Sequence, residues 1–213
     1  MHVVAISNYA NSKLKRNLDL ALAGLGVILL APLMGIIALL IWVLMGRPIF
    51  FKQARPGLYG KPFQLTKFRT MTEARDDQGH LLPDKQRLTP LGCFLRKTSL
   101  DELPELWDVL RGDMSLVGPR PLLTEYLPYY TEREQLRHRI LPGITGLAQT
   151  SGRNFLPWNQ RLELDVQYAL NCSLCFDILI LVRTFIKVAA QKDVAVVPGS
   201  VSDKLTVCRN QKQ

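Results

Sequence analysis

From Leu20 to Gly46 the chain carries no charged residue. As one α-helix, these 27 residues would be roughly 40 Å long, against a hydrocarbon core about 30 Å thick. The segment therefore reads as membrane material. A cleaved export signal fits poorly, because the apolar run is long and is followed by Arg47-Pro48, not by small residues. Pro32 lies in its middle, where a proline removes one helical hydrogen bond and crowds the preceding turn. Both flanks are basic: Lys13, Lys15 and Arg16 come before, and Arg47, Lys52 and Arg55 come after. Positive flanks hold both ends on the cytoplasmic side. Kink and flanks together predict a re-entrant helix-break-helix with its membrane kink at Pro32. A tilted single crossing that tolerates the proline is the alternative.

The remainder bounds the fold and the partners. The chain has 213 residues, enough for one ample domain; 47% are hydrophobic and 21% charged, which excludes global disorder. The net charge of +9 calls for an anionic partner: nucleic acid, an anionic membrane surface or a phosphorylated substrate. Cys93, Cys172, Cys175 and Cys208 do not form a disulfide pattern, and Cys172-x-x-Cys175 lacks the second pair a zinc site needs. His2, His80 and His138 have no partner spacing, and no Walker A, dinucleotide-binding or nucleophile-elbow motif is present. Tyr126, Tyr129 and Tyr130 sit in a basic chain, yet no nucleic-acid recognition module accompanies them.

Three segments follow from these patterns: residues 1–47 as tail and membrane hairpin, 48–191 as a cytoplasmic membrane-associated domain, and 192–213 as a weakly ordered C-terminal tail. Residues 48–71 read as a small β-hairpin, with turn signals at Pro56-Gly57 and Gly60. Residues 72–90 read as charged loop, 99–111 as helix, 122–140 as helix interrupted at Pro128, 151–158 as loop and 160–191 as helix. In this last helix Asp177, Thr184, Lys187 and Gln191 form a narrow polar stripe beside a wide apolar face. It suits either an amphipathic interfacial helix lying on the membrane or a mostly buried core helix. The expected class is α+β, mostly helical, around one catalytic domain.

Asp101 and Glu102 carry the chemistry that stands out. Ser99 three residues before Glu102 is a capping-box pattern, and acidic residues suit a helix N-terminus. Alternatively Pro104 is the first helical residue. The surroundings are cationic, however: Lys67 and Arg69 end the second strand on one face, Arg96 precedes the carboxylates, and Arg120 sits in the stiff turn Gly118-Pro119-Arg120-Pro121. Arg153 lies in a loop. Guanidinium groups held in turns clamp phosphate oxygens, and a carboxylate among them serves as nucleophile or Mg²⁺ ligand.

Ordered runs across the chain carry a resemblance. They are Lys67-Phe68-Arg69-Thr70-Met71, Arg96-Lys97-Thr98-Ser99-Leu100-Asp101-Glu102-Leu103-Pro104, and Gly112 to Pro121. Pro142-Gly143-Ile144-Thr145-Gly146-Leu147-Ala148-Gln149 and Gly152-Arg153-Asn154 complete them. The chain resembles the bacterial sugar transferases, the monotopic phosphoglycosyl transferases, over roughly residues 13–190. The resemblance implies transfer of a phosphosugar from a UDP-sugar donor to polyprenol (undecaprenyl) phosphate, the first membrane step of a surface glycan. It implies that Asp101, paired with Glu102, forms a covalent phosphosugar intermediate and releases UMP. Mg²⁺ would be the cofactor, with Asp101 as its ligand; Lys67, Arg69, Arg96, Arg120 and Arg153 would bind the phosphates and nucleotide. The implied setting is the bacterial inner membrane, the catalytic domain on its cytoplasmic face among phospholipid, in a minimal catalytic form compatible with a homodimer and needing no nucleic acid. Two positions depart from the family pattern: Ala31 stands where a Ser commonly precedes the proline, and Leu147 where Trp is common. The competing reading from charge and anchor alone is a non-enzymatic binder of anionic lipid or nucleic acid; within the enzymes, it is a direct glycosyltransferase that releases a nucleoside diphosphate.

Overall fold

The computed structural model describes residues 6–152, 155–190 and 204–210. Helix α1 (Lys13–Met45) opens on a Ser12 cap, whose side chain accepts from the Lys15 N–H, and closes on Gly46 at φ 72°. It is long and apolar enough to cross a membrane. It keeps helical conformation straight through Pro32, so the expected helix-break-helix is one continuous helix here. The fixed φ of proline is compatible with a helix; the cost is the donor that the Ile28 carbonyl would otherwise receive. Ala31 has no hydroxyl to replace it.

One stripe of α1 faces the rest of the protein along its whole length: Lys15, Asp19, Ala23, then Met34, Ile37 and Ile41. Steps of three and four keep these on one side. Ala23 packs with Leu65, Val109 and Met114; Met34, Ile37 and Ile41 pack with Phe68 and Leu95. The other side exposes Leu25, Ile28, Leu29, Ile36, Val43 and Leu44.

Strands β1 (Phe50–Pro56) and β2 (Pro62–Phe68) form the expected antiparallel hairpin, in register from Phe50–Phe68 to Pro56–Pro62. Its turn holds Tyr59 and Gly60 at positive φ. The single turn α2 (Asp84–Arg87) interrupts the expected loop. Helix α3 (Pro90–Thr98) was not expected; Thr89 caps it by accepting from the Gly92 N–H, with Pro90 in the first turn. A Cβ on Gly92 would lie 1.9 Å from the Thr70 carbonyl oxygen. Only glycine allows α3 so near the end of β2.

The expected 99–111 helix is two pieces: a 3₁₀ turn (Leu100–Glu102) and α4 (Glu105–Arg111), with Pro104 as the α4 cap. Strand β3 (Ser115–Val117) pairs in parallel with β4 (Gly143–Thr145), a pair the sequence pattern does not show because each strand is three residues long. A Cβ on Gly143 would meet the Gly118 N at 2.0 Å, so the two Gly-rich motifs abut through bare backbone. The expected 122–140 helix is a 3₁₀ stretch (Thr124–Tyr129), the short α5 (Glu132–Gln135) under a Thr131/Glu134 capping box, and a further 3₁₀ turn (Leu136–Arg139).

Helix α6 (Leu147–Ser151) follows β4. The expected 160–191 helix divides at Cys172-Ser173 into α7 (Trp158–Asn171) and α8 (Leu174–Ala189), because Ser173 turns extended and caps α8. Asp177 and Thr184 of the expected polar stripe face inward; Gln191 lies outside the described residues. Asp177 pairs with Lys15 at 2.7 Å and accepts from the Tyr168 hydroxyl at 2.5 Å; Thr184 Oγ1 lies 2.7 Å from Thr145 Oγ1. Leu174, Ile178, Val182, Phe185 and Ile186 face outward. The buried-core alternative is thereby excluded for this face. Residues 205–210, expected in a weakly ordered tail, form α9 (Leu205–Asn210), and Leu205 is buried against Leu122, Tyr126 and Leu162. The fold is mostly helical, as expected, with the expected hairpin and a second small sheet that was not expected.

Candidate active site

The dyad owes its position to a strained corner. Helix α3 ends at Ser99, a non-glycine residue in the left-handed region (φ 57°, ψ 17°). Such a conformation costs on the order of 1 kcal/mol or more and persists where packing enforces it. Ser99 is therefore the stop of α3; its side chain caps nothing, so the capping-box reading is corrected. The corner aims the 3₁₀ turn, and with it Asp101 and Glu102, at a cavity of about 830 Å³.

The two carboxylates do different work. Glu102 Oε1 accepts from Lys67 Nζ at 2.6 Å and from Arg120 Nη2 at 2.7 Å. Burial pushes its carboxyl up, but Arg120 and Lys67 outweigh it and hold the group well below the usual carboxylate range. Asp101 is 9% exposed, and among the described residues nothing hydrogen-bonds its carboxylate. Burial, reinforced by the Glu102 charge, lifts it to about 6; Lys67, Arg96 and Arg120 pull the other way. At neutral pH Asp101 is thus an ionised carboxylate with uncommitted lone pairs beside three cations.

Lys67 also contacts Glu105 Oε1 at 3.1 Å. Burial lowers its pKa, but Glu102 and Glu105 outweigh that and raise it. Glu105, a site neighbour not picked out from the sequence, is raised to about 7 by burial, against the pull of Lys67. Its spacing three residues after Glu102 is the signal that could have found it. Arg120 is raised by the Glu102 carboxylate, and its backbone carbonyl accepts from Arg137 Nη2 at 2.6 Å. Buried Arg137 is fixed in turn by Asp165 Oδ2. This brace was not legible, because Arg137 and Asp165 are 28 residues apart.

The other expected phosphate ligands separate. Arg96 lines the cavity, and its Nε donates to Thr70 Oγ1 at 3.0 Å. Arg69 donates to the carbonyls of Met45, Gly46 and Arg47, clamping the end of α1. Its partners are thus backbone carbonyls, although it shares the cavity wall with Lys67. Arg153 lies outside the described residues.

A Mg²⁺ ion bound mainly by substrate phosphates needs only one or two protein carboxylates. Among the described residues no cluster of three His, Cys, Asp or Glu could hold a metal by itself. Glu102 is committed to cations, whereas the unpaired Asp101 carboxylate fits that limited role.

The cationic cavity holds the Asp101 carboxylate, which has no hydrogen-bond partner among the described residues, and α1 exposes an apolar face. The chain belongs to the bacterial sugar transferase family, whose sequence model matches residues 10–191. It is 57% identical over 149 residues to the "Uncharacterized sugar transferase EpsL" of Bacillus subtilis, covering 70% of this chain and 74% of that protein. The UDP-glucose:undecaprenyl-phosphate glucose-1-phosphate transferase of Escherichia coli is 39% identical over 187 residues, covering 83% of this chain but 40% of its own length. The "Exopolysaccharide production protein ExoY" of Rhizobium meliloti is 36% identical over 187 residues, covering 80% of this chain and 83% of its own length. Family membership makes the chain an enzyme and sets aside the non-enzymatic binder.

Proposed function

We propose that this enzyme moves a sugar phosphate from a UDP-sugar to polyprenol (undecaprenyl) phosphate in two steps through Asp101. The observation that carries this reading is the division of labour in the dyad: Glu102 is consumed by Lys67 and Arg120, while Asp101 is buried, ionised and without a hydrogen bond among the described residues. Asp101 Oδ attacks the sugar-bearing phosphorus, and the bond to the UMP oxygen breaks. UMP leaves, and an aspartyl phosphosugar remains. An oxygen of the lipid phosphate then attacks the same phosphorus and frees Asp101. Arg120, braced by Pro119, Pro121 and Arg137, and Lys67, held by Glu102 and Glu105, stabilise charge on the transferring group. Asp101 would hold Mg²⁺, which would supply further charge neutralisation. The mapping onto UDP-sugar and lipid phosphate is supported by the name of the Escherichia coli relative.

The membrane geometry supports the same reading. Both ends of α1 are tied to the catalytic domain. Lys15 pairs with Asp177, Asp19 accepts from Ser115, and Arg16 donates to the Val109 and Leu110 carbonyls; at the other end Arg69 holds the Met45 to Arg47 carbonyls. A helix fastened at both ends to one domain does not place that domain on one side and its own far end on the other. With the basic flanks, this supports a monotopic, re-entrant anchor in the inner membrane, its bend carried at Pro32 within the continuous α1, with the outward face of α8 lying in the interface and the catalytic domain in the cytoplasm. The test is nucleotide release by purified enzyme given UDP-sugar and Mg²⁺ without lipid. UMP in a burst near one per active site supports the covalent route. UDP release, or no release until acceptor is added, overturns it.

A further inference from the structure

The cavity wall holds two buried polar side chains that the mechanism above does not use. Gln149 is 5% exposed, and neither its Oε1 nor its Nε2 has a partner among the described residues. Asp165 is 2% exposed; Arg137 takes Oδ2, while Oδ1 has no partner. Native interiors rarely leave such atoms unmatched, and orphans that line a cavity point to a ligand that completes them.

Both are rigidly placed. A Cβ on Gly146 would lie 2.2 Å from the Gly118 carbonyl oxygen and 2.8 Å from Gln149 Oε1. The amide therefore sits over the bare-backbone contact between Gly146 and Gly118, the residue that begins the Arg120 turn. Asp165 joins the same turn through Arg137, which bonds the Arg120 carbonyl. Helix α6, carrying Gln149, packs on α7, carrying Asp165. The pair belongs to the arm of the cavity served by Arg120.

The orphans on these two side chains select the ligand chemistry. On them two acceptors, Gln149 Oε1 and Asp165 Oδ1, and one donor group, Gln149 Nε2, await partners. The imide edge of a pyrimidine offers one donor and two acceptors, which leaves an acceptor facing Asp165. Ring hydroxyls each donate once and also accept, so two of them satisfy all three groups. We propose that Gln149 and Asp165 form a hydroxyl-reading subsite for a sugar ring of the donor. The ring is the transferred pyranose or the ribose of the nucleotide. The assignment rests on the phosphosugar-transfer reading for the identity of the donor.

Gln149→Met tests it in the full-length protein in detergent micelles, by calorimetric titration with UMP, 2′-deoxy-UMP and a panel of UDP-hexoses. At least tenfold weaker binding of one or more UDP-hexoses with unchanged UMP binding supports the pyranose. At least tenfold weaker UMP binding, with 2′-deoxy-UMP bound equally by both proteins, supports the ribose. Equal binding of all ligands by wild type and variant overturns the subsite. Because Met removes two unpartnered atoms, the ligand-free variant should melt no lower than wild type; a lower melting temperature shows a structural amide and also overturns it. Wild type that neither binds UMP nor releases it overturns the transfer reading itself, an outcome separate from a bound but Gln149-insensitive donor.

Discussion

Replacing Asp101 by Asn should abolish transfer and stabilise the ligand-free protein. The carboxyl is lifted from 3.8 to about 6, first by burial and then by Glu102. At about 1.4 kcal/mol per pH unit, holding the ionised form at pH 7.5 costs the fold on the order of 3 kcal/mol. Asn is neutral and nearly isosteric, so it should recover about 1–3 kcal/mol, which in a chain of this size raises the melting temperature by about 3–8 °C. The sign follows from linkage. Between the unfolded and folded pKa values, the folded state holds a proton that the unfolded state has lost, so wild-type stability falls as pH rises from about 4 to 6 and then levels. The variant lacks this dependence at position 101. Its advantage should be near zero at pH 4, grow to pH 6 and stay constant to pH 8. Paired thermal melts in the same detergent across that range measure the difference, and titrating groups remote from the dyad cancel in the comparison. An Asp101→Asn variant no more stable than wild type at pH 7.5 would show that the Asp101 carboxylate is solvated or bonded, and would refute the division of labour in the dyad.

Below pH 6, kcat/KM should fall about tenfold per unit as Asp101 protonates; an activity flat from pH 7 to 5 contradicts that assignment. Arg120→Lys keeps the charge but loses the fork, and should cost at least tenfold in kcat/KM, roughly 1.4 kcal/mol; unchanged steady-state kinetics would return Arg120 to a mere Glu102 counter-ion. Lys15→Met leaves Asp19 and Asp177 buried without their cation and should destabilise the protein by about 3–5 kcal/mol, seen as loss of the cooperative melt. Single cysteines near residues 8 and 205 should both be shielded from an impermeant label in intact cells; labelling of one terminus alone contradicts the re-entrant anchor.

What could be read from the sequence had strong local signals. The apolar run at Leu20–Gly46 stands out by length, and the 48–71 hairpin by its turn residues. Lys67, Arg96, Arg120, Asp101 and Glu102 do share one cavity, and chain order was enough to suggest it. The misreadings arose where tertiary contact overrode a local pattern. Ser99 looks like a cap, but the close seat of Gly92 on Thr70 fixes α3 first and makes Ser99 its left-handed stop. The stripe of α8 left an interfacial and a buried helix open, and contacts with distant segments separate them: Asp177 and Thr184 face the protein and the apolar side faces out. Arg69 shares strand periodicity and the cavity wall with Lys67, and a contact not visible in the sequence is added: its guanidinium donates to the carbonyls at the end of α1. The Arg137–Asp165 brace was hidden because its meaning lies in a contact between segments 28 residues apart.

The covalent route through Asp101 is tested most directly by intact-mass spectrometry of the enzyme quenched after mixing with UDP-sugar and Mg²⁺ and no lipid. The account predicts an added mass equal to one phosphosugar, mapped by digestion to the peptide that contains Asp101, lost on addition of polyprenol phosphate and never formed by Asp101→Asn. A preparation that turns over with lipid present yet shows no adduct, or an adduct on another residue, contradicts it.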